Sequence, residues 1–305
     1  MDKKGKNFKL FLGRSDLIGD TVMCEPSLRY FEKIYPNSYK YWHLLGKTSQ
    51  AASLWLNHPL IDRLKISKNL ESYDEEDYEI MRKCDIVINT RPQHKIEDWY
   101  NYYNCVEETI QMAGINLDHF NSILTEEERR PKLYKWFKEG LFEEEKVGYC
   151  VNETFHTKKI KNIAIQPFCG YGKGLNRSPD AGFWSKLIEK LLSLDYYVYH
   201  YGFVNEPSLS SKAGYKKLTH LPFFEQIKAA LDSEIIVGGD SGFMWTVGAF
   251  SHKAVQLITN WLPNHNRNLL ALAPVNINSE NIFYDRYGKY PSFDLVIKTI
   301  VKKIS

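Results

Sequence analysis

The sequence predicts an α/β protein of two Rossmann-like, doubly wound halves facing a cleft. Three observations predict it. Strand-like apolar runs alternate with helix-like ones, which in a globular chain means parallel sheets covered by helices. The alternation runs twice, separated by a Glu-, Lys- and Arg-rich stretch from Glu126 to about Lys159. Each series opens on a strand followed by a polar or glycine-bearing loop, where open α/β sheets collect ligands. The halves are drawn as residues 1–155 and 156–305, with the last helix free to pack back on the first half.

In the first half, Lys9-Leu10-Phe11-Leu12 reads as a strand, and Gly13 to Asp20 as the loop after it. A helix follows from about Asp20, kinked or restarted by Pro26, and stops near Tyr35-Pro36-Asn37. Ser38–Leu45 and Arg63–Ile66 are strand candidates, Ala51–Leu56 a short helix, and Asp85–Asn89 a buried strand ending in a polar turn. Asp74-Glu75-Glu76-Asp77 reads as a solvated acidic turn. The Glu126–Lys159 stretch has no Gly or Ser run, so it suggests a connecting helix and a polar strand rather than a floppy linker. The second half then gives strands at Ile163–Gln166, Tyr196–Tyr201, Ile235–Val237 and Ala254–Ile258. Its helices are read at Phe183–Leu192, Phe223–Leu231, Phe243–Val247 and Asp294–Ile304.

Bulk properties narrow the function classes. The 305 residues carry a net charge of only +3, from 40 basic and 37 acidic side chains, which argues against a dedicated nucleic-acid binder. No apolar run approaches the ~18 residues of a membrane span, and the charged N-terminus does not read as a signal peptide. The five cysteines stand at wide spacings, and the nine histidines form no metal-binding pattern, so no metal is expected. Cytosolic free thiols, and hence a cytoplasmic location, follow as the expectation.

The segment from Glu234 to Ala249, EIIVGGDSGFMWTVGA, is the most informative. A strand, a glycine turn and a helix opening on Asp240-Ser241-Gly242 leave backbone N–H groups beside a polar crevice, a setting that suits phosphate. An ordinary strand-to-helix turn capped by Asp240 fits equally well. The Cys169–Gly174 run is glycine-rich but lacks the spacing of a P-loop.

Leu17-Ile18-Gly19-Asp20-Thr21-Val22, then Pro26-Ser27-Leu28-Arg29 and Tyr35-Pro36, resemble the opening of the ADP-heptose:lipopolysaccharide heptosyltransferases, glycosyltransferase family 9. Ile165-Gln166-Pro167, Arg177-Ser178-Pro179-Asp180, Tyr199-His200-Tyr201-Gly202 to Glu206, and Gly238 to Gly242 resemble that family's later motifs, in order. The resemblance implies a GT-B fold, inversion at the anomeric carbon and neither metal nor cofactor. The chain departs from the family's pattern in three places. Trp245 stands where a histidine is usual, Asn176-Arg177-Ser178-Pro179 replaces a Lys-x-Trp-Pro step, and Ile258-Thr259-Asn260-Trp261 lacks the usual glycine.

On this reading the donor is a nucleotide-diphospho-sugar, ADP-linked heptose being one candidate, and the acceptor a carbohydrate or glycolipid. A different donor with a protein or modified nucleic-acid base as acceptor stays open, as does a non-catalytic nucleotide-sugar binding module. Asp20 is the expected base, already ionised at neutral pH, with Asp16 as its rival. Its alternative role is to cap the following helix. Arg177 and Lys173 are expected on the diphosphate, with backbone donors at Ser241 and Gly242. The resemblance gives Glu206 the ribose, a solvated loop acid being its alternative; Asp240 is read as holding a donor hydroxyl or a backbone N–H. Arg14, Arg91 and His94 are the acceptor candidates.

Overall fold

A computed structural model describes residues 9–14, 18–44, 54–55, 58–66, 74–89, 117–134, 161–169, 178–259, 275–284 and 291–305. The first sheet contains β1 (Lys9–Arg14), β2 (Tyr39–Leu44), β3 (Arg63–Ile66) and β4 (Ile86–Asn89) in the order β3-β2-β1-β4. All pairs are parallel, with Leu12 facing Trp42 on one side and Ile88 on the other. These three residues are buried. The helix expected from Asp20 is two helices, α1 (Ile18–Met23) and α2 (Pro26–Ile34). They are broken at Cys24-Glu25, where N–H groups bond three residues back. Pro26 opens α2, where its missing N–H costs nothing.

The acidic turn expected at 74–77 is instead the start of α3 (Glu75–Met81). Asp74 Oδ1 accepts from Asp77 N at 2.9 Å and Asp77 Oδ2 accepts from Asp74 N at 2.8 Å, a reciprocal cap made by two aspartates. Asp77 is buried, and its Oδ1 lies 3.2 Å from Nε2 of the equally buried His43. Burial holds the His43 pKa below the usual 6.5, with Asp77 opposing that shift and Lys65 adding to it. The unfolded chain therefore binds this proton first, so His43 withdraws stability as pH falls through about 6.5. We expect the urea midpoint to drop between pH 7.5 and 5.5, and the drop to be shallower in His43→Asn. Equal slopes would mean that His43 does not set it.

The helix α4 (Leu117–Ile123), absent from the sequence reading, packs on α2. Tyr30 meets Phe120 at 5.3 Å between ring centroids, and the Tyr30 hydroxyl is 2.9 Å from His119 Nδ1.

The second sheet holds β5 (Asn162–Gln166), β6 (Tyr197–His200), β7 (Tyr215–Lys217), β8 (Ile235–Gly239), β9 (Ala254–Thr259) and β10 (Ser279–Tyr284). Its order is β10-β9-β8-β5-β6-β7, again all parallel. One face carries α5 (Ala181–Leu192) and α8 (Phe293–Ile304) over Ile163, Ile165, Val237, Val255 and Leu257. The last helix therefore lies on its own half. Val296 and Ile300 join this cluster, and Phe293 stands edge-on to Phe183.

The other face is covered by α6 (Phe223–Ala230) and α7 (Gly242–Ala249). Phe243 to Ala249 are all buried, and the polar residue among them, Thr246, donates its hydroxyl to the Gly242 carbonyl at 2.7 Å, so α7 is enclosed by protein on every side. Ala164, Ile236, Met244 and Val247 belong to one apolar cluster with Leu10, Leu12, Leu28 and Trp42 of the first half. The boundary at 155/156 lies outside the described residues.

A buried carboxylate strengthens the join. Glu25, fully enclosed, accepts from Arg29 Nη2 at 2.5 Å and from the Lys132 N–H at 2.8 Å, and lies 3.3 Å from His58 Nε2. One residue on, the Leu133 N–H donates to Ala249 C=O at the end of α7, at 2.7 Å. The chain at 130–134 is thus bound to α2 on one side and to α7 on the other.

Candidate functional site

Among the described residues, each sheet has one point where the winding reverses. In the second it falls between β5 and β8, because β6 and β7 extend one way and β9 and β10 the other. In the first it falls between β1 and β4. Crevices beyond the carboxyl ends of such strand pairs are where open α/β sheets hold ligands. The turn Gly239-Asp240-Ser241-Gly242 leaves β8 at that crevice.

Ser241, rather than Asp240, is the N-cap of α7. Its Oγ accepts from Met244 N at 3.2 Å and donates to Gln166 Oε1 at 2.7 Å, bridging the two strands of the switch point. Gln166 in turn donates through Nε2 to the Phe168 carbonyl. Gly238, in register with Gln166, has no room for a side chain, since a Cβ would fall 2.6 Å from Met244 Sδ and 2.9 Å from Gln166 O. Asp240 Oδ1 accepts from the Trp245 indole Nε1–H at 2.9 Å.

The first half approaches the same turn. A Cβ on Gly242 would fall 2.9 Å from Gly19 N and 3.3 Å from Ile18 Cβ, and one on Gly19 would fall 3.1 Å from Gly242 Cα. The openings of α1 and α7 therefore meet at a seam that glycine permits on both sides. Asp20 follows Gly19 as the third residue of α1, past the position a cap would take. Its side chain and that of Arg14 lie outside what is described.

Glu206 is buried and already engaged. Its Oε2 is 2.8 Å from His200 Nε2, and its Oε1 accepts from Phe203 N at 2.9 Å. His200 Nδ1 lies 2.8 Å from the Tyr215 hydroxyl, making a Tyr–His–Glu chain whose histidine and carboxylate are buried and whose tyrosine is half-buried. Gly202, at φ +149°, lets the loop turn over this carboxylate, because a Cβ there would overlap it. A ribose hydroxyl would have to share Glu206 with these partners.

Lys173, Arg177, Arg91 and His94, together with the rival base Asp16, lie outside the described residues. The ends of the glycine-rich loop are nonetheless held at the switch point, where the Cys169 N–H donates to Ser178 Oγ at 2.9 Å. Asp180 then caps α5 through Phe183 N at 2.8 Å. Sequence reasoning missed Gln166 and Trp245 as partners of the turn. The one available signal for Gln166 was a polar residue ending an apolar strand. Among the described residues, no group of three or more His, Cys, Asp or Glu could hold a metal ion, and no helix is long and apolar enough to cross a membrane.

No protein-family model matches the chain, and no curated protein matches it. Solved structures do. The E. coli ADP-heptose lipopolysaccharide heptosyltransferase II matches with a TM-score of 0.63 at 13% identity, over 97% of this chain and 98% of that one. A glycosyl transferase family 9 protein from Veillonella parvula DSM 2008 gives 0.60 at 12% identity, over 99% of both. The E. coli heptosyltransferase WaaC with ADP gives 0.55 at 11%, over 97% of this chain and 99% of that one. At such identities the likeness shows the fold: the chain has the two-sheet GT-B architecture of these glycosyltransferases.

Proposed function

We propose that the chain is a glycosyltransferase that moves a sugar from a nucleotide-diphospho-sugar to an acceptor hydroxyl, with inversion and without a metal. The observation that carries this reading is the seam between Gly19 and Gly242. It sets the Asp20-bearing helix of one half against the Asp240-Ser241-Gly242 turn of the other, at the ligand edge of both sheets.

In this reading Asp20 removes the acceptor proton as the hydroxyl attacks the anomeric carbon opposite the diphosphate. Charge then develops on the ring, as in glycoside hydrolysis, and on the departing diphosphate. Backbone donors at the opening of α7 stabilise the latter, with Arg177 and Lys173 as its side-chain partners. Asp240 takes a hydroxyl of the transferred sugar. Glu206, tied to His200, shapes the ribose side of the donor site and shares its carboxylate with the ribose. Arg14, Arg91 and His94 belong to the acceptor side.

The solved relatives named for ADP and ADP-heptose make an adenine nucleotide the first donor to try. We expect calorimetric titration with ADP, GDP, UDP, CDP and their sugar conjugates to give saturable binding of one diphosphate, unchanged by Mg²⁺. Binding that appears only with Mg²⁺ would overturn the metal-free mechanism.

A further inference from the structure

The indole of Trp245 is nearly enclosed, at 6% exposure, so it cannot serve as a stacking platform for a sugar. Its one polar atom instead meets a carboxylate at the ligand edge of the sheet: Nε1–H donates to Asp240 Oδ1 at 2.9 Å. Asp240 is only partly buried, and among the described residues its other oxygen, Oδ2, takes no hydrogen bond. The same indole reaches the opposite half, where a Cβ on Gly19 would lie 3.5 Å from Trp245 Cδ1. Trp245 therefore touches both sides of the seam. A free carboxylate beside a glycine turn can rotate about χ1 and χ2, whereas one anchored at Oδ1 presents Oδ2 in a single direction.

We propose that Trp245 is a positioning residue for the donor's sugar, fixing Asp240 by one oxygen so that the other is aimed at a hydroxyl of the transferred group. This rests on the glycosyltransferase reading above. A residue acting in this way affects the sugar and not the nucleotide, which sets it apart from ordinary packing. A packing role would weaken α7, and with it the affinity for any nucleotide.

Trp245→Phe keeps most of the ring and removes the donor. We expect it to weaken binding of the preferred nucleotide-sugar by about 10-fold. Affinity for the bare nucleoside diphosphate should stay near wild type. In an Asp240→Ala background the same change should add nothing, because the two residues act through one bond. Equal losses for sugar conjugate and bare diphosphate, or none for either, would overturn the inference alone. So would additive losses in the double variant, which also covers any general softening of α7 by the Phe substitution. If wild type binds none of the ADP, GDP, UDP or CDP compounds, the glycosyltransferase reading itself fails and the inference falls with it.

Discussion

Asp20→Asn is expected to lower turnover by about 10²- to 10⁴-fold, the usual contribution of a positioned general base. Asparagine keeps the size of the side chain and its place as third residue of α1, but cannot take the acceptor proton. Nucleotide affinity should be unchanged, because the proposed donor contacts come from the second half. The comparison to make is single-turnover rate against diphosphate affinity in the same preparation. A rate near wild type would remove Asp20 from the chemistry and make Asp16 the next residue to test. Loss of rate and affinity together would mean that the substitution disturbs the seam at Gly19 instead.

Glu25→Ala carries the largest expected effect on stability. The carboxylate is fully enclosed, and its partners are a guanidinium at 14% exposure, a ring nitrogen of His58 and a backbone N–H. Deleting it leaves the Lys132 N–H without its acceptor and the Arg29 charge with the Arg130 carbonyl in place of a carboxylate, which costs about 3–5 kcal/mol for a buried pair broken on one side. Against a usual total of roughly 5–15 kcal/mol, that is a large share. Urea denaturation of the wild type, Glu25→Ala and Glu25→Gln would measure it, with Gln falling between the other two because it can still accept one hydrogen bond. A loss in Ala below about 1 kcal/mol would show that water replaces the carboxylate.

The strands that build both sheets were legible where apolar β-branched runs are buried on both faces, as at Ile235–Val237 and Ile163–Ile165. β7 and β10 were not. β7 is three residues long with Lys216 exposed, and the SENIFY run of β10 neither alternates nor stays apolar. The acidic start of α3 was misread because its carboxylates cap each other and His43 draws Asp77 inward, a contact made in space and not in the local pattern.

For the site, the Asp-Ser-Gly turn was readable from its glycines and its place after a strand. That the cap is Ser241, that Asp240 is held by Trp245, and that Glu206 is held by His200 depends on side-chain geometry. The meeting of Gly19 with Gly242 depends on how two distant segments dock, which neither segment announces alone.

The apolar cluster shared by Leu10, Trp42, Met244 and Val247 makes the two sheets poor interchangeable parts. A chimaera joining one half to the matching half of a relative would pair surfaces shaped for other neighbours. The abutting glycines leave no slack to absorb the mismatch. Redirecting donor choice is better attempted by grafting the loops after β5 and β6, which change the crevice while leaving the docked helices alone.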